Sequence, residues 1–459
     1  MIRFDSHGWR APLGEDFNEE SVSRIGEAIG TTWGAARPGG TVYVGYDARR
    51  DAERLAGVVA GVIASHGLRV HVSLEPLPTT VLGWNVSQDG SSIGGVMLTA
   101  SEAPSAYGGI CLRGPDGGPA PEDLTLEVER SINALPSWPA APFERVDLLG
   151  PYVRDAVGHL AARPLARAPR AVLDPLHGAA GRAARLVLEG IGCEVTSLHE
   201  EPRPDFGGLR PSPRLPWVEG CEAEVLRRHA DLGVVLDGDG DRLGIIGDAG
   251  DWVLPHLVEC LVMEYRVRQC GRSGVVVVNQ ACSALVGRQA RRLGCAVRTV
   301  PVGFRRIYEE FSGGDVLLGV EHLGGMAFPW HLKERDAVYG AGLLCALLGT
   351  SEDSLSLRLS RLTEKVGRMY FSRRDLRTDV DRCETLRNLL PGVNPRELYG
   401  EEPTWVSHAE GLKVEFEDGS WVMVRTSRTE PVVRVWAEAT SESKAASLVS
   451  STTAGIARL

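Results

Sequence analysis

Three stretches of the chain share one alternation of texture. Each opens on a run of β-branched residues, passes through a helical stretch rich in alanine and arginine that closes on glycine, and returns to a second β-branched run. They read TVYVGYDA, RRDAERLAGVVAGVIASHG, LRVHVSL; then RAVLDPLHG, AAGRAARLVLEGIG, CEVTSLH; then SGVVVVNQA, CSALVGRQARRLG, CAVRTVPV. The pattern predicts a β-α-β unit used three times, and therefore three similar α/β domains with mixed sheets. From about residue 370 the texture changes to polar helices followed by GLKVEFEDGSWVMVRTSRTEPVVRVWAEA, which alternates like an antiparallel sheet. That segment predicts a smaller C-terminal α+β domain. The turn-rich PSWPAAPF (136–143) separates the first unit from the second, and another break falls shortly after GDAGDWV. The expected domains are 1–140, 141–255, 256–368 and 369–459.

Composition narrows the class of ligand. At 459 residues, 43% hydrophobic and 24% charged, the chain has enough apolar surface for several cores. A net charge of −10 gives no global field that favours nucleic acid or an anionic membrane. An anionic small molecule must be met by local arginines, because the only lysines are Lys333, Lys365, Lys413 and Lys444. The nine cysteines are scattered without a CxxC pair, as expected of reduced core thiols. No stretch is apolar enough to span a bilayer, and the N-terminal residues lack a signal-peptide core. A cytoplasmic monomer or homodimer is expected.

The most informative stretch is DLGVVLDGDGDRLGIIGD. A buried strand, 233–236, runs into Asp237, Asp239 and Asp241, separated by glycines that permit tight turns, and a second strand leaves. Three carboxylates so placed can converge on one hard cation, and their mutual repulsion makes them costly without one. The loop lacks the terminal glutamate of an EF-hand. Mg²⁺ held by few carboxylates and a phosphate oxygen suits it better, with Arg242 placed to hold that phosphate. Upstream, the hydrophobic run GVML stops at Thr-Ala-Ser, presenting Ser101 beside Glu102. A serine at a strand end beside a phosphate-seeking metal is a candidate carrier of that phosphate, and its oxygen a further metal ligand.

In order along the chain, FDSHGWRAPLGEDF, TASEAP, DGDGDR, GVEHLGG and RTSRTEP resemble motifs of the α-D-phosphohexomutase superfamily, which includes phosphoglucomutases, phosphomannomutases and phosphoglucosamine mutases. The resemblance spans nearly the whole length. It implies four domains around a central cleft: a phosphoserine-loop domain, a metal-binding domain, a sugar-binding domain and a C-terminal phosphate-binding domain. It also implies a phosphoserine at Ser101, Mg²⁺ on Asp237, Asp239 and Asp241, and Arg10 and Arg242 stabilising the transferring phosphoryl group. Glu321 and His322 would face the sugar. Arg425, Ser427 and Thr429 would anchor the phosphate that does not react.

The chain departs from the family pattern at the chemistry. Glu102 and Ala103 stand where the family has histidine and asparagine, and Cys111 stands in place of an acid–base lysine. Leu323 and Gly325 replace the serine and histidine of the sugar loop, and Arg428 replaces a glycine: if that position needs a positive φ the arginine is strained there, and otherwise the loop gains a second anion-binding arm. Glu102 could supply the missing acid–base function if burial and phosphates raise its pKa. Two enzyme readings follow: a mutase acting on an unusual sugar phosphate, or a repurposed enzyme using Glu102 for hydrolysis or elimination. A non-catalytic phosphosugar binder would need neither Ser101 nor the metal loop.

Overall fold

A computed structural model of the chain describes residues 2–4, 8–132, 135–136, 139–426 and 431–459. Among these residues the strands form four sheets. The first comprises β1 (Trp9–Pro12), β2 (Thr41–Tyr46), β3 (Arg69–Ser73), β4 (Ser92–Leu98), β5 (Tyr107–Arg113) and β6 (Glu144–Val146), in the order β1-β5-β4-β2-β3-β6. The second comprises β7 (Arg170–Asp174), β8 (Glu194–Ser197), β9 (Leu232–Leu236), β10 (Leu243–Gly247) and β11 (Trp252–Val253), ordered β11-β10-β9-β7-β8. The third comprises β12 (Val275–Asn279), β13 (Ala296–Val300), β14 (Val316–Val320), β15 (Met326–Phe328) and β16 (Leu332–Arg335), ordered β13-β12-β14-β15-β16.

In each predicted repeat the two β-branched runs are adjacent parallel strands joined by the expected helix, Ala52–Ser65, Gly181–Gly190 or Ala284–Arg292. Each sheet also carries antiparallel strands, so all three are mixed. The C-terminal unit is antiparallel throughout: β17 (Tyr370–Arg377), β18 (Trp405–Ser407), β19 (Leu412–Glu415), β20 (Trp421–Thr426) and β21 (Val432–Ala439), ordered β17-β21-β20-β19-β18. One boundary differs from expectation. β6, which a break at residue 140 assigns to the second domain, pairs in parallel with β3 and extends the first sheet to Val146.

One hydrophobic core runs continuously from the back of the first sheet through the second and third domains. The helix Ala337–Leu348 (AVYGAGLLCALL) lies inside it with all twelve residues buried. A helix apolar all round has no solvent face, and this one packs on helices of both the second domain and the third. The C-terminal domain has a core of its own, built on β19–β21 and the helix Glu442–Ile456. It meets the third domain through a small cluster of Ala281, Trp421, Met423 and Trp436. All nine cysteines are free thiols. Among the described residues no helix is long and apolar enough to cross a membrane.

Leu344 is fully buried in the central helix, and Leu344→Ala is expected to lower stability by about 3 kcal/mol through lost burial and a residual cavity. Urea titration followed by tryptophan fluorescence measures it.

Candidate active site

β4 ends at Leu98, and the chain turns at once through Thr99, Ala100 and Ser101. Ser101 sits in the left-handed region, φ 48°, a conformation that costs a non-glycine residue roughly 1 kcal/mol or more. Arg49, just beyond β2, holds it there. Its guanidinium donates to the carbonyls of Ser101 (2.7 Å), Ala103 (2.8 Å), Pro104 (2.8 Å) and Tyr107 (3.0 Å). Asp47 fixes the guanidinium through Nε (3.1 Å) and accepts the Thr99 hydroxyl (2.7 Å), and Thr99 Oγ1 in turn accepts the Ser101 N–H (2.9 Å). The Ser101 N–H and carbonyl are thereby held within the first domain, and its hydroxyl points to the second.

The acidic loop forms the tip of the β9–β10 hairpin. Asp237 Oδ1 accepts the N–H groups of Asp241 (2.9 Å) and Arg242 (3.1 Å), which closes the turn. Gly240 has φ 69°. At Gly238 a Cβ would stand 2.7 Å from the Ser101 carbonyl oxygen, so the missing side chain is what lets the two loops touch. They do touch. The Ser101 hydroxyl donates to Asp237 Oδ2 (2.8 Å), and Arg242 Nη1 donates to Ser101 Oγ (2.9 Å).

Ligand atoms of Asp237, Asp239 and Asp241 lie within 4.8 Å of one another, all buried. Burial and the two neighbouring carboxylates push Asp237 well above the usual range. Asp239 Oδ2 accepts the Thr79 hydroxyl (2.8 Å), but its buried Oδ1 finds no hydrogen-bond partner among the described residues. A set of hard oxygen donors with one orphaned lone pair fits a divalent cation such as Mg²⁺.

Positive charge reaches this cluster from two sides. Arg242 is one source. The other is Arg335, at the end of β16, whose guanidinium meets Asp241 (2.6 Å), Glu321 (2.9 Å) and Glu334 (3.2 Å). Glu334 also pairs with the buried Arg113. Arg10, Cys111, Arg113 and Arg335 line a recess next to Ser101. Cys111 is a packed thiol that burial pushes up to about 11, so it is no base at neutral pH.

A larger cavity of about 250 Å³ opens where all four domains meet. Glu102 of the first domain, Arg214 and Arg242 of the second, His322 of the third and Arg373 of the fourth all line it. Burial alone would raise the Glu102 pKa, as the sequence suggested. Instead Arg242, Arg214, the Ser212 hydroxyl (2.8 Å) and Arg210 outweigh it and hold the carboxyl well below the usual range. The expected rise is therefore corrected: Glu102 is an ionised carboxylate tied to arginines. His322 is pushed down to about 3 by burial and by Arg373, Arg242, Arg425 and Arg434, which keeps its imidazole neutral.

Four family models match the chain in order. These are phosphoglucomutase/phosphomannomutase alpha/beta/alpha domain I (residues 1–137), domain II (151–250), domain III (256–366) and the C-terminal domain (386–454). The chain belongs to the phosphoglucomutase/phosphomannomutase family. A phosphoglucomutase/phosphomannomutase of Thermococcus kodakarensis is 27% identical over 96% of this chain and 95% of its own length. A probable phosphoglucosamine mutase of Methanopyrus kandleri is 29% identical, covering 97% and 95%. Among solved structures, a putative phosphomannomutase of Thermus thermophilus superimposes with a TM-score of 0.87 at 29% identity, covering 99% of both chains. The chain is thus an enzyme of the phosphohexomutase type.

The structure brings the serine loop, the metal loop and Arg242 into contact, and Arg10 lines the same recess as Ser101, Asp239 and Asp241. Glu321, expected to face the sugar, is buried with its carboxylate taken by Arg335. Nearby in sequence, His331 is buried against Asp336 and Asp155, and Lys333 pairs with Asp116. Arg425 lies opposite Arg434 on the β20–β21 ladder and pairs with Glu410 (2.7 Å). Ser427, Arg428 and Thr429 lie outside the described residues. The sequence reading passed over Arg49, Thr79, Arg214, Arg335 and Arg373. Of these only Arg373 carried a local signal, as one of the clustered basic residues of SRRDLR.

Arg49→Ala is expected to cost about 3–5 kcal/mol, because it leaves Asp47 buried without its cation, and to abolish turnover; chemical denaturation and an activity assay check both. His256, which also lines the cavity, is pushed by burial down to about 4 from its ordinary 6.5. The folded chain keeps it neutral while the unfolded chain protonates it, so its contribution is full above pH 6.5 and is lost as the pH falls toward 4. Between about pH 7 and about pH 5, the wild type should lose about 2 kcal/mol more stability than His256→Leu, measured by paired urea titrations.

Proposed function

We propose that the protein is a Mg²⁺-dependent phosphosugar mutase working through phosphorylated Ser101. The observation that carries this reading is the meeting of the Ser101 hydroxyl with Asp237 and Arg242 beside the carboxylate triad. Asp237, Asp239 and Asp241, with the Ser101 oxygen, would hold the metal. When bound, it neutralises charge on the transferring phosphoryl group.

The chain's own residues supply the rest. Arg242 and Arg10 offset charge on the phosphoryl oxygens as the bond to Ser101 Oγ breaks and a bond to a sugar hydroxyl forms. Glu102 is proposed to take the hydroxyl proton. It lines the cavity with an oxygen 3.9 Å from Arg242 Nη1, and an incoming phosphate competes for that arginine and for Arg214, which frees the carboxylate. His322, neutral and lining the cavity, can hydrogen-bond a sugar hydroxyl. Arg425, with Ser427, Arg428 and Thr429, is proposed to anchor the phosphate that does not react. The partner is a small phosphosugar rather than a nucleic acid or a membrane, and we read the enzyme as a cytoplasmic monomer or homodimer. The names of its relatives make glucose, mannose and glucosamine phosphates the first substrates to try.

The decisive experiment is peptide mass spectrometry of Ser101 after incubation with Mg²⁺ and hexose bisphosphates. Phosphorylation at Ser101 that is discharged by a sugar monophosphate, with both transfers blocked when Mg²⁺ is chelated, is expected. Ser101→Ala should reduce turnover at least a thousandfold, on the order of losing a covalent carrier. Turnover that survives Ser101→Ala but not Glu102→Gln would assign the reaction to hydrolysis or elimination at Glu102.

A further inference from the structure

The helix Leu149–Leu160 of the second domain carries Asp155 and His159 one turn apart, so the two side chains share a face. His331, in the turn between β15 and β16 of the third domain, meets them. One ligand atom from each of Asp155, His159 and His331 lies within 4.8 Å of the other two. None of the three lines the recess beside Ser101 or the cavity where the four domains meet.

His331 is built into the fold. Its side chain has no exposed area, and its ring stacks on Tyr339 with centroids 4.0 Å apart. Asp336 meets its Nε2 at 3.0 Å, and the same carboxylate accepts the Tyr152 hydroxyl (2.8 Å) and the Tyr339 N–H (2.8 Å). A carboxylate so occupied is an acceptor, which puts the ring proton on Nε2 and a lone pair on Nδ1. That lone pair stands 3.5 Å from Asp155 Oδ2, and His159 Nδ1 stands 3.4 Å from the same oxygen. Both distances exceed an ordinary N–H···O hydrogen bond of about 2.7–3.2 Å. His331 Nδ1 has no hydrogen-bond partner among the described residues. A buried acceptor set against a carboxylate is costly unless a cation stands between them. A second ring proton would supply that cation, yet at 3.5 Å it would lack a normal hydrogen bond.

The spacing suits a metal better. Zinc bonds of about 2.0–2.1 Å at tetrahedral angles set neighbouring ligand atoms about 3.3–3.4 Å apart, close to both distances here. Two imidazoles and a carboxylate suit Zn²⁺, whereas the all-oxygen triad of the acidic loop suits Mg²⁺. Asp336 behind His331 is the outer carboxylate that commonly orients a metal-bound histidine. From the first domain, Trp84 Nε1 donates to Asp155 Oδ2 (3.1 Å) and steadies it. The His159 side chain is 54% exposed, which leaves a route for the ion and room for water as a fourth ligand.

We propose that Asp155, His159 and His331 form a zinc site, separate from the acidic loop, that ties the second domain to the third. Its ligands come together only in the folded chain, so the bound ion stabilises that state by mass action. The site does not depend on the mutase reading.

Equilibrium dialysis of the untagged full chain against Zn²⁺ in excess Mg²⁺, with bound metal counted by mass spectrometry, tests it. His159→Ala should hold one equivalent of zinc fewer than the wild type, its affinity at this site falling at least about a hundredfold, the upper end for losing an outer partner alone. Asp155→Asn keeps an acceptor for Trp84 and should give the same loss, so the test holds if either variant folds poorly. Asp239→Asn, which disables the acidic loop as a rival site, should keep the equivalent. Zinc should also raise the urea midpoint of the wild type and leave that of His159→Ala unchanged. No zinc on the wild type, zinc retained in full by both His159→Ala and Asp155→Asn, or zinc lost only with Asp239→Asn overturns the site. A wild-type urea midpoint that zinc leaves unmoved overturns the tie between domains. None of these outcomes bears on phosphorylation of Ser101, so failure here and failure of the mutase reading are distinguishable.

Discussion

Three carboxylates buried at the tip of one hairpin repel one another, and the arrangement of the cleft follows from how that repulsion is contained. Asp237, Asp239 and Asp241 sit within 4.8 Å of one another in a low-dielectric setting, where like charges separated so little cannot all persist without compensation. Arg242 answers from the same loop, Arg335 from the third domain, and Thr79 from the first. Each of the first three domains therefore meets the others at the acidic loop, and the serine loop is pressed against it by Arg49. The site is a charge-balancing problem solved by segments far apart in sequence.

The same logic separates two kinds of buried carboxylate. Glu102 is surrounded by arginines and stays ionised, while Glu259 has no cation and is driven toward its neutral form. Both line one cavity, so two carboxylates in the same cleft differ in charge because of the side chains around them.

Much of this architecture was legible in the chain, and the parts that were not share a cause. Three β-α-β repeats announce themselves because a strand period and a helix period alternate within each thirty-odd residues. DGDGDR is legible because its meaning lies in its own spacing. Arg49 and Arg335 are not, since a single arginine beside a strand looks like a solvated one until the fold brings carbonyls or carboxylates to it. β6 joins the first sheet from beyond the expected boundary, and a three-residue parallel edge strand after a proline-rich linker has almost no pattern of its own to announce it. Glu259 was invisible for the opposite reason: in LPHLVECLVMEY it looks like one polar break in an apolar helix, and only burial without a partner gives it meaning. The Glu102 environment depended on Ser212 and Arg214, more than a hundred residues downstream.

Arg335 holds Asp241 of the metal loop and Glu321 of the sugar loop in one guanidinium. Two binding events that draw on a shared group cannot be independent. On the mutase reading proposed above, a sugar that engages Glu321 would loosen a contact that Arg335 balances against Asp241, and so would alter the affinity of the acidic loop for its cation. Thermodynamic reciprocity then requires the cation to alter the affinity for the sugar by the same factor. Discrimination among sugars in this cleft would then depend on metal concentration as well as on shape.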